Sequence, residues 1–130
     1  MMTVSKKTEY GLAFLLFLSK NREDFVSLRQ MAKGLGLPYR FLGQVATLLS
    51  QAGMTESKEG KNGGYRLAKN WEEKSVYDLI VALGEDKRMV SCLENESECE
   101  RAEGCKIKKV WQRAEGAMLT ELKNFKLKNL

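Results

Sequence analysis

The sequence predicts a mainly α fold with a small β-wing, and three observations carry that prediction. Two short helical patterns meet at a glycine turn, Gly34-Leu35-Gly36; a glycine-rich hairpin pattern, Met54 to Leu67, follows them; and apolar residues recur at helical spacing from Ile107 to Phe125. Helix, turn, helix and hairpin make a winged helix-turn-helix. The organisation that follows is a winged head over residues 1–84, a cysteine-bearing connection over 85–105 and a long C-terminal dimerisation helix over 106–130.

The head begins with a helix over residues 8–20. Tyr10, Ala13, Phe14 and Phe17 fall at helical spacing and Leu12, Leu15, Leu16 and Leu18 fill the other sides, which predicts burial nearly all round. After the polar turn Asn21-Arg22-Glu23-Asp24, Ser27-Leu28-Arg29-Gln30 reads as a capping box, in which serine and glutamine side chains satisfy each other's free amides, and a short helix from Leu28 to about Lys33 follows. Pro38 suits the first turn of the next helix, Pro38 to Ala52, because its missing amide would have had no partner there. Phe41, Val45, Leu48, Leu49 and Ala52 are its expected apolar stripe, while Arg40, Gln44, Thr47 and Gln51 step along the opposite face. Met54-Thr55-Glu56-Ser57 and Tyr65-Arg66-Leu67 are short strands joined by Lys58-Glu59-Gly60-Lys61-Asn62-Gly63-Gly64, a loop with the residues a hairpin needs. Those glycines do not have dinucleotide-loop spacing. A second capping box, Ser75 to Asp78, opens a helix from Val76 to Leu83, whose Val76, Leu79, Ile80 and Leu83 close the core. In the C-terminal stretch, Ile107, Trp111, Ala114, Met118, Leu122 and Phe125 step by four, three, four, four and three, the signature of an amphipathic helix; its stripe either packs back on its own chain or, the expected outcome for a chain whose head already has a core, pairs with its copy in a homodimer.

Charge is distributed unevenly over the 130 residues. From Ser27 to Lys69 seven basic residues face two acids, leaving +5; the span 92–105 has one arginine and five glutamates, leaving −4; the remainder, from Lys106, has seven bases and two acids, leaving +5 again. A basic central block with arginine and glutamine on one helix face suits double-stranded DNA, since arginine forks onto guanine and glutamine onto adenine. The longest apolar run, Tyr10 to Leu18, is far shorter than the roughly 18 residues of a membrane span, and no signal-peptide pattern precedes it, so the expected location is the cytoplasm. With no histidine, no nucleophile motif and no paired-carboxylate constellation outside the acidic span, the composition argues against an enzyme.

Cys92, Cys99 and Cys105 are the only cysteines and fall within fourteen residues. Neighbouring glutamates disfavour a thiolate by like-charge repulsion, and a cationic metal centre would reverse that preference. The spacing matches no common zinc pattern. It leaves open ligands to iron or zinc, redox thiols, and plain free cysteines.

Taken together, Thr8-Glu9-Tyr10-Gly11-Leu12, Gly53-Met54-Thr55-Glu56-Ser57, Gly60-Lys61-Asn62-Gly63-Gly64-Tyr65-Arg66-Leu67, and Cys105 followed six residues later by Trp111 resemble the iron-sulfur winged-helix regulators of the IscR, NsrR and CymR type. The resemblance implies a homodimeric transcription repressor or activator whose cluster, 2Fe-2S or 4Fe-4S, controls affinity for a palindromic operator. Cys92, Cys99 and Cys105 stand at the family's ligand positions; Glu9 stands where some members supply a fourth ligand to the partner subunit, and Lys108 where others have histidine. Arg40, Gln44 and Thr47 are then expected in the major groove, and Ser5, Lys6, Arg29, Lys58, Lys61 and Asn62 at phosphates or the minor groove. Two departures make the operator of other members non-transferable: Gly43 replaces a base-reading glutamate, and Glu59 a wing arginine. The alternatives are the same DNA-binding fold with redox thiols or a zinc site, or a cluster-free regulator controlled by a protein partner.

Overall fold

The computed structural model describes residues 4–90, 93 and 104–130. Within them the chain runs α1 (Lys6–Lys20), α2 (Leu28–Leu35), α3 (Tyr39–Gln51), β1 (Thr55–Lys58), β2 (Gly64–Leu67), a 3-10 turn (Trp71–Glu73), α4 (Val76–Ala82), α5 (Lys106–Asn124) and a closing 3-10 turn (Leu127–Asn129). This is the expected mainly helical, winged architecture.

The local signals act as read. Gln30 N donates to Ser27 Oγ and Ser27 N to Gln30 Oε1, and the same reciprocal box joins Ser75 and Asp78. Gly36 ends α2 in the left-handed region, φ 65°, where a Cβ would be strained. α1 starts two residues earlier than its apolar pattern, because Ser5 caps it by accepting a hydrogen bond from Thr8 N at 3.2 Å.

β1 and β2 pair antiparallel, Thr55 with Leu67 and Lys58 with Gly64. A third strand position comes from the α1–α2 connection: Val26 and Tyr65 exchange both backbone bonds at 2.8 Å. At Gly64 a Cβ would lie 2.2 Å from Val26 O, so the wing's inner end can approach the head only because that residue is glycine.

The core lies between α1, α2, α3 and α4, around Phe14, Leu18, Met31, Leu42, Val45, Leu49, Leu79 and Leu83, all buried. Two readings are corrected here. In α3 the buried stripe is Leu42, Val45, Ala46 and Leu49; Phe41 is 41% exposed, Ala52 is exposed and Leu48 only half-buried. The inward face is thus rotated by about one residue, because Leu42 and Ala46 fit against the neighbouring helices while Phe41 meets Tyr10 edge-on, ring centroids 5.5 Å apart.

The second correction concerns the C-terminus. Phe125 falls just past α5, and Leu127 beyond it is 1% exposed, a member of the head's core. Val76 N donates to Phe125 O at 3.0 Å and Leu127 N to Lys74 O at 2.9 Å, so the chain end pairs with the residues that open α4. The stretch after the long helix is therefore stitched into the winged head.

Candidate nucleic-acid interface

α3 presents Arg40, Gln44, Thr47 and Gln51 as one exposed row. Arg40 and Gln44 carry forked donors and acceptors of the kind that read base edges. Thr47 is exposed but donates its hydroxyl to Gly43 O, one turn back, at 3.0 Å, which leaves its methyl and an acceptor lone pair facing out. A Cβ on Gly43 would meet only Leu28 at an ordinary 3.5 Å, so the absence of a side chain there is not forced by packing.

Basic residues flank this row. Arg29 on α2 and Lys58, Lys61 and Asn62 on the wing are exposed, and the wing and the start of α2 enclose a cleft of about 670 Å³ lined by Asp24, Ser27, Gln30, Lys58, Lys61 and Asn62. Phe25, which sequence reasoning passed over, braces the wing: the Arg66 guanidinium lies 4.5 Å from its ring centre and the Lys58 ammonium 5.7 Å, while Arg66 Nε also donates to Glu56 at 2.9 Å. Nothing in its local pattern marks it, since its partners reach it from the hairpin. Replacing Lys58 and Lys61 with alanine is expected to flatten the slope of log affinity against log salt by about 0.9 for each phosphate no longer neutralised, with sequence preference unchanged. Titrations at several salt concentrations check this; an altered preference at constant slope would make the lysines base readers.

Ser5 and Lys6 lie at the start of α1. Ser5, half-buried, caps the helix and donates its hydroxyl to Glu85. Lys7 donates to Leu83 O at 3.0 Å and lies 3.9 Å from Glu85. The start of α1 is thereby fastened to the end of α4, where the connection toward Cys92 begins. Further along that connection Arg88, through its guanidinium and its backbone amide, holds the Asp86 carboxyl down to about 2. The lowered value means the charged turn persists at neutral and mildly acid pH and is lost only as pH falls through about 2. Met89 N then donates to Glu115 on α5 at 2.9 Å.

Of the expected metal ligands, Cys92 and Cys99 lie outside the described residues. Cys105 is half-buried at the N-cap of α5, and no acid stands in that helix's first turn. Glu9 is exposed and pairs with Lys6 at 3.0 Å, which in turn holds the Lys6 ammonium above its usual value. Among the described residues no three candidate ligands come together.

No residue of α5 is fully buried. Ile107 (65% exposed) and Trp111 (38%) face outward with Val110, whereas Ala114, Met118 and Leu122 are half-buried on the side toward α4, where the Lys123 ammonium stands 4.7 Å from the Tyr77 ring centre. The expected single stripe is thus divided between an inner contact and an exposed apolar face. No helix among the described residues is long and apolar enough to cross a membrane.

Comparison with known proteins agrees with the fold. Protein rrf2 of Nitratidesulfovibrio vulgaris is 32% identical over 130 residues, covering 99% of this chain and 87% of that protein. The HTH-type transcriptional regulator NsrR of Halalkalibacterium halodurans is 31% identical over 131 residues, covering 99% and 90%. In fold, the chain is similar to CymR, the global cysteine regulator of B. subtilis, with a TM-score of 0.80 at 28% identity over 98% of this chain and 94% of that one. Residues 4–130 match the family described as Rrf2, iron-dependent transcriptional regulator. The chain therefore belongs to the Rrf2 family of transcriptional regulators and is not an enzyme.

Proposed function

We propose that this chain is a homodimeric, cytoplasmic DNA-binding regulator whose operator affinity is set by an iron-sulfur cluster held by Cys92, Cys99 and Cys105. The observation that carries the DNA-binding reading is the exposed Arg40, Gln44 and Thr47 row on α3, flanked by a braced basic wing. Homodimerisation is supported by the outward Ile107, Val110 and Trp111 of α5.

The residues fit such a group in their chemistry. Cys105 stands half-buried at the positive end of a nineteen-residue helix whose first turn is free of acids, a favourable place for a thiolate ligand. Glutamates crowd the span between the cysteines, which suits metal-bound sulfur better than free thiolate. Glu9 is the proposed fourth ligand, reached by exchanging its Lys6 partner. When bound, the cluster supplies a link between three points of the chain that is sensitive to oxidation and to small ligands. The chain's own residues carry the effect: Ser5 and Lys7 hold the start of α1 to Glu85 and Leu83, and Glu115 holds Met89 to α5, so both the DNA-reading head and the dimer helix are tied to the connection that leads to Cys92.

A second reading, redox thiols in place of a cluster, is favoured by the likeness in fold to Staphylococcus aureus CymR, whose structure is known in an oxidized form. Iron and acid-labile sulfide in protein purified without oxygen separate the two. The cluster reading expects both elements, lost on replacing Cys92 or Cys105 with alanine, and different operator affinities for loaded and cluster-free protein at matched salt. Equal affinities would uncouple the two sites, and thiols without iron would select the second reading.

A further inference from the structure

Phe41 stands beside the base-reading row, not beneath it. It is one residue, about 100° of helix, round from Arg40, and 41% of it is exposed. Its ring is held edge-on by Tyr10 of α1, one turn beyond Lys6 and on the same face of that helix. An apolar ledge thus lies beside the polar row suited to base edges. In the major groove, the group found between a strand's backbone and the hydrogen-bonding edges of its bases is the thymine 5-methyl.

Resting on the DNA-binding reading above, we propose that Phe41, propped by Tyr10, is a specificity-determining residue that selects thymine through apolar contact with its methyl group. An aromatic ring with no polar atom gives no preference among hydrogen-bonding edges, so its discrimination is for the methyl itself. The ring's pose is set before binding, which spares the contact part of the ordering cost.

The test begins with duplexes selected from a random library by the full chain. Each thymine of the selected duplex is then replaced in turn by deoxyuridine, which removes only the methyl. Wild-type protein is expected to lose about fourfold in affinity at one thymine of the site, the effect of uncovering one buried methyl. Phe41→Ala should bind both duplexes equally at that position, and Phe41→Leu, which keeps an apolar group, should retain part of the discrimination. Methyl dependence that persists unchanged in Phe41→Ala, or that is lost instead in Tyr39→Ala, overturns the proposal while leaving the DNA-binding reading intact. A library that yields no enriched duplex removes both.

Discussion

Leu127→Ala is expected to destabilise the protein by about 2–5 kcal/mol, although the residue is fourth from the end of the chain. Terminal residues are ordinarily permissive. This one is 1% exposed, packs with the head's core, and is anchored by the bond from its own amide to Lys74 O. Truncating the side chain leaves a cavity that the surrounding core can close only in part. Urea unfolding at fixed protomer concentration, so that dimerisation does not shift the midpoint, measures the effect. Leu130→Ala, at an exposed position, should stay within about 0.5 kcal/mol of wild type. Equal, small effects at both positions would mean that the chain end is not part of the cooperative unit.

Trp111→Glu is expected to yield a monomer with operator affinity lowered by on the order of 100-fold or more. Trp111 and Ile107 face away from the head on a helix with no fully buried residue in its own subunit, so a carboxylate there would be desolvated on pairing without a partner. On the homodimer proposed above, two linked heads would bind as one multivalent unit, and separate heads would forgo the effective concentration that linkage supplies. Sedimentation and operator titration on the same preparation read both quantities. Dimeric protein with wild-type affinity would place the interface elsewhere, and the exposed Val81 of α4 would be the next position to substitute.

The legible parts of the fold were those written in short-range chemistry. Ser27 with Gln30 and Ser75 with Asp78 mark two helix starts because each box is complete within four residues. The glycines of the wing mark the hairpin for the same reason. What escaped depends on partners distant in sequence. Phe41 and Leu42 are equally apolar neighbours, and a 3.6-residue repeat accommodates either; only the presence of Tyr10 across from α3 decides that Phe41 stays at the edge. Leu127 follows Phe125 in what reads as the fading end of a helix, and only Lys74 and Val76 make it a bridge. Among the candidate site residues, the exposed row on α3 was readable from spacing. The bracing of Lys58 and Arg66 by Phe25 was not, since it joins the α1–α2 connection to the hairpin and nothing in the neighbourhood of Phe25 signals it.

The stitched chain end also bears on how the protein is made. Because the ribosome delivers the N-terminal helices first, α1 to α4 emerge long before the residue that completes their core. The core of the head is therefore complete only once residues 85–105 and α5 have been synthesised. Chains that stop short of Leu127 lack the residue that closes this core and are expected to be cut by protease faster than the full chain.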